Sequence, residues 1–151
     1  MPIRKRRPAD DTPLAALWER SVRATHDFLA EDDIQLLLPL VRDAYLPALE
    51  TWLLELADGT PAGFIGTAGD KVEMLFIEPA HRGQGVGRQL LDHVRALRPH
   101  LSVDVNEQNP QAHGFYRHYG FAEIGRSETD GQGRPFPIIH MRLKYPDAPA
   151  S

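Results

Sequence analysis

The sequence predicts one α/β domain: a mixed, mostly antiparallel sheet with helices on both faces. Three observations carry that prediction. The runs 51–56, 62–67 and 71–77 are rich in apolar residues and are separated by Asp58-Gly59-Thr60-Pro61 and Gly69-Asp70. Apolar runs broken by short turn-forming clusters are the pattern of consecutive antiparallel strands. Two stretches of helical spacing precede these strands and two follow them. The third strand runs through Glu78-Pro79-Ala80-His81 into a glycine-rich turn that opens one of the later helices. At 151 residues, with 42% hydrophobic and 25% charged residues, the chain can bury one core without being a membrane or disordered sequence.

In chain order, residues 2–7 read as a short strand. Asp10, Asp11 or Thr12 can cap the first helix, with Pro13 in its opening turn. Leu14, Leu17, Trp18, Val22 and Thr25 then fall near helical spacing. A second helix is predicted from Asp32 or Asp33 to Ala44, with Ile34, Leu37, Leu38 and Val41 on one face. Pro39 lies within it and predicts a kink or two shorter helices. After the three strands, a helix over 85–97 directs Leu90, Leu91, Val94 and Leu97 inward, and Pro99 closes it. Residues 101–105 alternate apolar and polar as a strand does. Residues 110–119 form the last helix, with Gly120 as the residue that ends it. Two strands, 121–126 and 138–143, flank the loop 130–135. The order is β-α-α-β-β-β-α-β-α-β-β, with residues 1–145 as a single domain and 146–151 as a loose tail.

Composition excludes several classes of function. The net charge of −4 leaves no broad basic face for nucleic acid. The cluster Arg4-Lys5-Arg6-Arg7 reads as the solvated flank of an edge strand. With no cysteine there is no disulfide, thiolate metal site or cysteine nucleophile. The seven histidines lack ligand spacing, and His113 and His118 stand too far round one helix to chelate, so no metal is expected. No long apolar segment marks a leader or a membrane partner, and a cytoplasmic setting is expected.

The glycine turn, Arg82-Gly83-Gln84-Gly85-Val86-Gly87-Arg88, carries the first functional signal. Glycines allow backbone conformations and close approaches that side chains forbid. The N-terminus of the helix that follows presents unpaired N–H groups and a partial positive charge. Together they make an anion seat, suited to phosphate. A phosphate-binding Walker loop needs Lys followed by Ser or Thr after its last glycine, where this chain has Arg88-Gln89. A dinucleotide fingerprint needs two residues before its last glycine and a βαβ opening. Neither fits, and a glycine turn without a ligand stays open on spacing alone.

Arg82-x-x-Gly85-x-Gly87 after an apolar strand resembles the pyrophosphate-binding motif of the GNAT superfamily of N-acetyltransferases. Asn109-Pro110-Gln111-Ala112, Gly114-Phe115-Tyr116 and Gly120-Phe121 resemble that family's second cofactor motif, and the likeness in element order covers nearly the whole chain. Ser21-Val22-Arg23-Ala24-Thr25-His26-Asp27-Phe28-Leu29 and Val105-Asn106-Glu107-Gln108-Asn109 are similar to small bacterial YjaB-type acetyltransferases, a subgroup that brings no settled acceptor with it. The resemblance implies acetyl-CoA as co-substrate. It implies that the main chain of Leu75, Phe76 and Ile77 pairs with the pantetheine arm. The N–H groups of Gly83, Gln84, Gly85, Val86, Gly87 and Arg88 would hold the pyrophosphate, with charge from Arg82 or Arg88. Asn109 would touch the cofactor near its pantetheine arm, and Tyr116 would place its hydroxyl near the thioester sulfur.

The chemistry sets two needs: an amine must shed a proton to attack the thioester, and the leaving thiolate gains from a nearby acid. Tyr116 is the acid candidate, with a packing role as its structural alternative and Tyr119 as runner-up. Glu73 and Asp104 are the candidate bases, either acting directly or through a water, and a solvated strand position is the alternative for each. Trp18, Ser21, His26, Asp27 and Phe28 are candidates for the acceptor site, although Trp18 also suits the core and His26 a helix cap. Arg134, Phe136 and His140 are weaker candidates from the far side. Two readings follow: an N-acetyltransferase for a small-molecule or peptide amine, or a CoA-binding module without catalysis. Strand pairing at the chain ends leaves either a homodimer or a monomer.

Overall fold

The computed structural model describes residues 2–25, 29–131 and 133–144. The expected tail, 146–151, lies outside them. The strands are β1 (Ile3–Lys5), β2 (Glu50–Glu55), β3 (Pro61–Ala68), β4 (Lys71–Ile77), β5 (Ser102–Asn106), β6 (Phe121–Ser127) and β7 (Ile138–Leu143). The helices are α1 (Asp11–Thr25), α2 (Glu31–Leu40), α3 (Leu46–Ala48), α4 (Val86–Leu97) and α5 (Pro110–Tyr119). The seven strands form one sheet in the order β1-β2-β3-β4-β5-β7-β6. Every neighbouring pair is antiparallel except β4 and β5.

Alternation along the strands builds two cores, one on each face. Leu54, Ile65, Val72, Val103, Val105, Ile139 and Met141 pack with Val86, Leu90, Leu91 and Val94 of α4 and with Tyr116 of α5. On the other face, Leu53, Phe64 and Met74 pack with Leu14, Leu17, Trp18 and Val22 of α1, Ile34 of α2, and Val41 and Leu46. Leu90 and Leu91 are fully buried, and each such side chain contributes about 1.5–3 kcal/mol. Leu97, expected to point inward, is 55% exposed because it is the final helical residue, past the buried stripe that ends at Val94.

The basic cluster is absorbed by the fold. Arg4 Nη1 and Nη2 donate to the two oxygens of Asp10 at 2.9 and 3.0 Å, and Arg4 Nε donates to Glu55 at 3.0 Å. Arg6 pairs with Asp11 at 2.7 Å. These contacts tie the edge strand β1 to the start of α1. The second helical stretch breaks into shorter pieces, as Pro39 predicts, and carries on past the expected end at Ala44. Pro39 sits inside α2 and has no N–H to donate. Past Leu40 the backbone widens into a π-type turn over Val41–Tyr45, and α3 follows. Among the described residues, no helix is long and apolar enough to cross a membrane.

Candidate active site

The site starts from two irregularities of β4. Gly66 is opposite Met74 but Thr67 is opposite Val72, so Glu73 is an extra residue, a β-bulge. The bulge reverses the alternation: Val72 packs on the α4 face, Met74 on the α1 face. The second irregularity is on the other side of the strand. Parallel pairing with β5 is limited to Lys71↔Ser102 and Val72↔Val103. Beyond that point the strands diverge, and the main chain of Leu75, Phe76 and Ile77, paired with β3 on one side, has no strand on the β5 side. An unpaired edge inside a folded domain leaves N–H and C=O groups for an extended ligand.

The glycine turn lies at the end of the open edge. Gly83 (φ +76°) and Gly85 (φ +80°) adopt left-handed conformations that favour glycine, and Gly85 caps α4. Gly87 has a different reason: a Cβ there would lie 3.0 Å from the Phe115 ring of α5. Arg82 Nη2 is buried and has no hydrogen-bond partner among the described residues. A buried guanidinium nitrogen left unpaired beside a helix N-terminus fits an anion.

The far wall comes from α5. Asn109 caps it, its side-chain oxygen accepting the Ala112 N–H at 3.1 Å. Pro110 at the first helical position has no N–H to leave unpaired. Tyr116 is 7% exposed and lies edge-on to Phe115 and Phe121. Burial pushes its phenol well above the ordinary range, so the proton stays on the oxygen at neutral pH. Tyr119 is committed elsewhere: its hydroxyl donates to Asp92 at 2.6 Å, and burial followed by that carboxylate raises it to about 12.

These elements enclose a cleft of about 680 Å³. It brings together Leu75, Phe76, Ile77, Arg82, Gly83, Gly85, Val86, Gly87, Arg88, Asn109 and Tyr116. No carboxylate is among its described lining residues, while two arginines and two histidines, His81 and His118, are. A long ligand with an anionic middle and an apolar arm fits that distribution.

Gln84 stays outside the cleft, its side-chain oxygen 3.1 Å from His81 Nδ1. Trp18 is 4% exposed and sets its ring against Phe76 at 6.5 Å, within the α1-side core rather than in a cavity wall. His26, Asp27 and Phe28 lie outside the described residues. Ser21 and Thr25 of α1 do reach the cleft.

The two carboxylate candidates flank the point where the strands part. Glu73 lines a second cavity, about 360 Å³, with Tyr45, Ala48, Leu49 and Met74. Asp104 follows Val103, the last β5 residue paired with β4, and is itself paired with His140 of β7. Its oxygens are both engaged: Lys71 Nζ is 2.7 Å from Oδ2, and His140 Nδ1 is 2.7 Å from Oδ1. A carboxylate only accepts, so Nδ1 carries a proton, and in the neutral ring Nε2 accepts from Ser127 Oγ at 2.7 Å. Burial alone would raise the Asp104 carboxyl, but the hydrogen bonds from Lys71 and His140 hold it below the usual range. Lys71 and Ser127 were not legible as site residues. Only their offsets from Glu73 and His140 hint at them, and cross-strand register decides which offsets meet.

An open strand edge, a glycine-capped helix and a buried tyrosine in one cleft define an acyltransferase built to hold an extended anionic donor. The chain belongs to the GNAT family of N-acetyltransferases: the model of the acetyltransferase (GNAT) domain matches residues 45–145. The peptidyl-lysine N-acetyltransferase YjaB of Salmonella typhimurium is 43% identical over 92% of this chain and 95% of its own length. The solution structure of apo YjaB from Escherichia coli superposes with a TM-score of 0.87, at 42% identity, covering 94% of this chain and 96% of that one. The PaiA N-acetyltransferase of Thermoplasma acidophilum, solved with coenzyme A, shares the fold at a TM-score of 0.75 and 21% identity, covering 96% and 100% of the two chains.

Proposed function

We propose that this enzyme transfers an acetyl group from acetyl-CoA, held in the 680 Å³ cleft, to lysine side chains of proteins or peptides. The observation that carries the reading is the convergence of the open β4 edge, the glycine turn and Tyr116 on one cavity without a carboxylate in its described lining. In this reading the N–H groups from Gly83 to Arg88 and the unpaired Arg82 Nη2 hold the pyrophosphate. The main chain of Leu75–77 pairs with the pantetheine arm, and acetyl-CoA supplies the thioester carbonyl. Tyr116 keeps its proton through burial and donates it to the departing sulfur. The absence of cysteine suits direct transfer and a cytoplasmic setting.

Of the two carboxylates, Glu73 is the better base. Asp104 is held by two donors and lowered in basicity, whereas Glu73 has Lys71 Nζ no nearer than 4.0 Å. Its cavity, with apolar and aromatic walls and one carboxylate, suits an alkyl chain ending in an ammonium. That chemistry matches the peptidyl-lysine activity of the YjaB relative. Holding amine and thioester together then removes much of the entropic barrier. The test is release of CoA thiol from acetyl-CoA with lysine-containing peptides, against peptides whose lysines are replaced by arginine. Lysine-dependent release supports the proposal; tight CoA binding with no release on any amine returns the chain to a binding module.

A further inference from the structure

We propose that the enzyme also acetylates itself, at Lys71, as an acceptor in cis. The inference rests on the reading above, that acetyl-CoA lies in the cleft with its thioester toward Tyr116. Lys71 opens β4, and its backbone is still paired with Ser102. Its side chain leans along the strand toward the opening, placing Nζ 2.7 Å from Asp104 Oδ2 and 4.0 Å from Glu73 Oε1. Those two residues come directly after Val72 and Val103, where pairing between β4 and β5 ends. The ammonium of Lys71 is thus held at the apex of the opening, between the two carboxylates that flank it. An incoming lysine needs the same surroundings: an ammonium head beside a proton acceptor at the opening between β4 and β5. The side chain is 39% exposed, so releasing it from Asp104 requires no repacking of the core.

The step balances without any further reagent. The Lys71 ammonium passes one proton to the Glu73 carboxylate, and the neutral amine attacks the thioester carbonyl carbon. The C–N bond forms, the C–S bond breaks, and the thiolate takes the Tyr116 proton. The second amine proton restores the phenol. The products are acetyl-Lys71, CoA thiol and one proton released from Glu73 to solvent. Asp104 on β5 holds Lys71 protonated and Glu73 on its own strand adds to this, with His140 of β7 behind Asp104. The reaction therefore quickens as pH rises. Acetyl-Lys71 is neutral, so the modified enzyme presents Glu73 and Asp104 to the next ammonium without a resident cation between them.

The chain has only three lysines, which makes the test clean. Lys5 lies on the edge strand β1, 5.8 Å above the Trp52 ring, and Lys144 follows β7 at the end away from the opening. The full chain is incubated with isotope-labelled acetyl-CoA alone, and labelled lysines are quantified by peptide mass spectrometry over time and protein concentration. Labelling of Lys71 is expected at least about tenfold faster than at Lys5 or Lys144, from proximity. Its rate per molecule should not depend on protein concentration. Tyr116→Phe should bring Lys71 down to the level of the other two, and Lys71→Arg should remove the dominant adduct. Equal labelling of the three lysines, as urea-unfolded protein would give, overturns the inference. So does labelling of Lys71 that Tyr116→Phe leaves unchanged. An unmodified Lys71 in a sample that acetylates an added lysine peptide sinks self-acetylation and leaves the proposed function standing. Absence of acetyl-CoA binding overturns both.

Discussion

In the proposed mechanism, Tyr116 and Glu73 divide the proton work between two environments. Tyr116 is buried among Phe115, Phe121 and the α4-side core, which keeps its phenol protonated. Tyr116→Phe keeps the packing and removes the proton, so kcat should fall about 10²-fold with little change in KM for acetyl-CoA. Steady-state CoA release measures both constants. Glu73→Gln should lower kcat about as much, whereas Asp104→Asn should cost less in kcat and should loosen Lys71 and His140 instead. A larger kcat loss in Asp104→Asn than in Glu73→Gln reverses the assignment of the base. Both carboxylates were legible in the sequence from their strands beside the cofactor motif together with the family likeness. The sequence did not separate them. Their difference lies in the bulge at Glu73 and in the donors that Lys71 and His140 bring from neighbouring strands, neither of which has a local sequence signal.

At the scale of elements, the glycine turn reads in the sequence as a candidate anion seat because it joins a strand to a helix. The separate task of each glycine was not. Gly83 and Gly85 are there for their positive φ, and Gly87 for the Phe115 ring 3.0 Å from where a Cβ would stand. Gly85→Val should therefore distort the cap of α4 and abolish acetyl-CoA binding, measured calorimetrically. Gly87→Leu should do the same by pushing α4 and α5 apart, with a lower unfolding temperature as well. Retained affinity in both variants contradicts the seat. The opening between β4 and β5 was legible only through the family likeness. Both strands read as ordinary apolar runs, and their divergence after Val72 and Val103 is a property of pairing. Pro39 announced trouble in the second helix, and the π-type turn that followed brings Tyr45 to the cavity beside Glu73.

The whole molecule is one sheet whose two faces carry separate cores, and the periodicities that predicted the elements predicted this too. Apolar positions at period 2 in the strands and near 3.6 in α1 and α4 leave few other arrangements. Leu90 is fully buried in the α4-side core, and Leu90→Ala should cost about 2–5 kcal/mol in chemical denaturation. The edge of the sheet is tied down electrostatically. The Arg4 hydrogen bonds hold the Asp10 carboxyl below its ordinary value against the opposing effect of burial. A carboxyl lowered in the folded state stabilises the fold above its unfolded pKa of about 3.9, and that contribution is lost as pH falls through the folded value. Asp10→Asn should thus cost about 1–2 kcal/mol at neutral pH and progressively less below pH ~4. A penalty independent of pH would assign the loss to packing rather than charge.

The central claim is that the cleft between the β4 edge, the glycine turn and α5 is where acetyl-CoA sits. Titration of the isotope-labelled protein with acetyl-CoA, followed by amide NMR shifts, tests it most directly. Saturable changes should concentrate at Leu75, Phe76 and Ile77, at the turn from Gly83 to Arg88, and at Asn109 and Tyr116. Saturable binding that leaves those amides in place and moves others contradicts it.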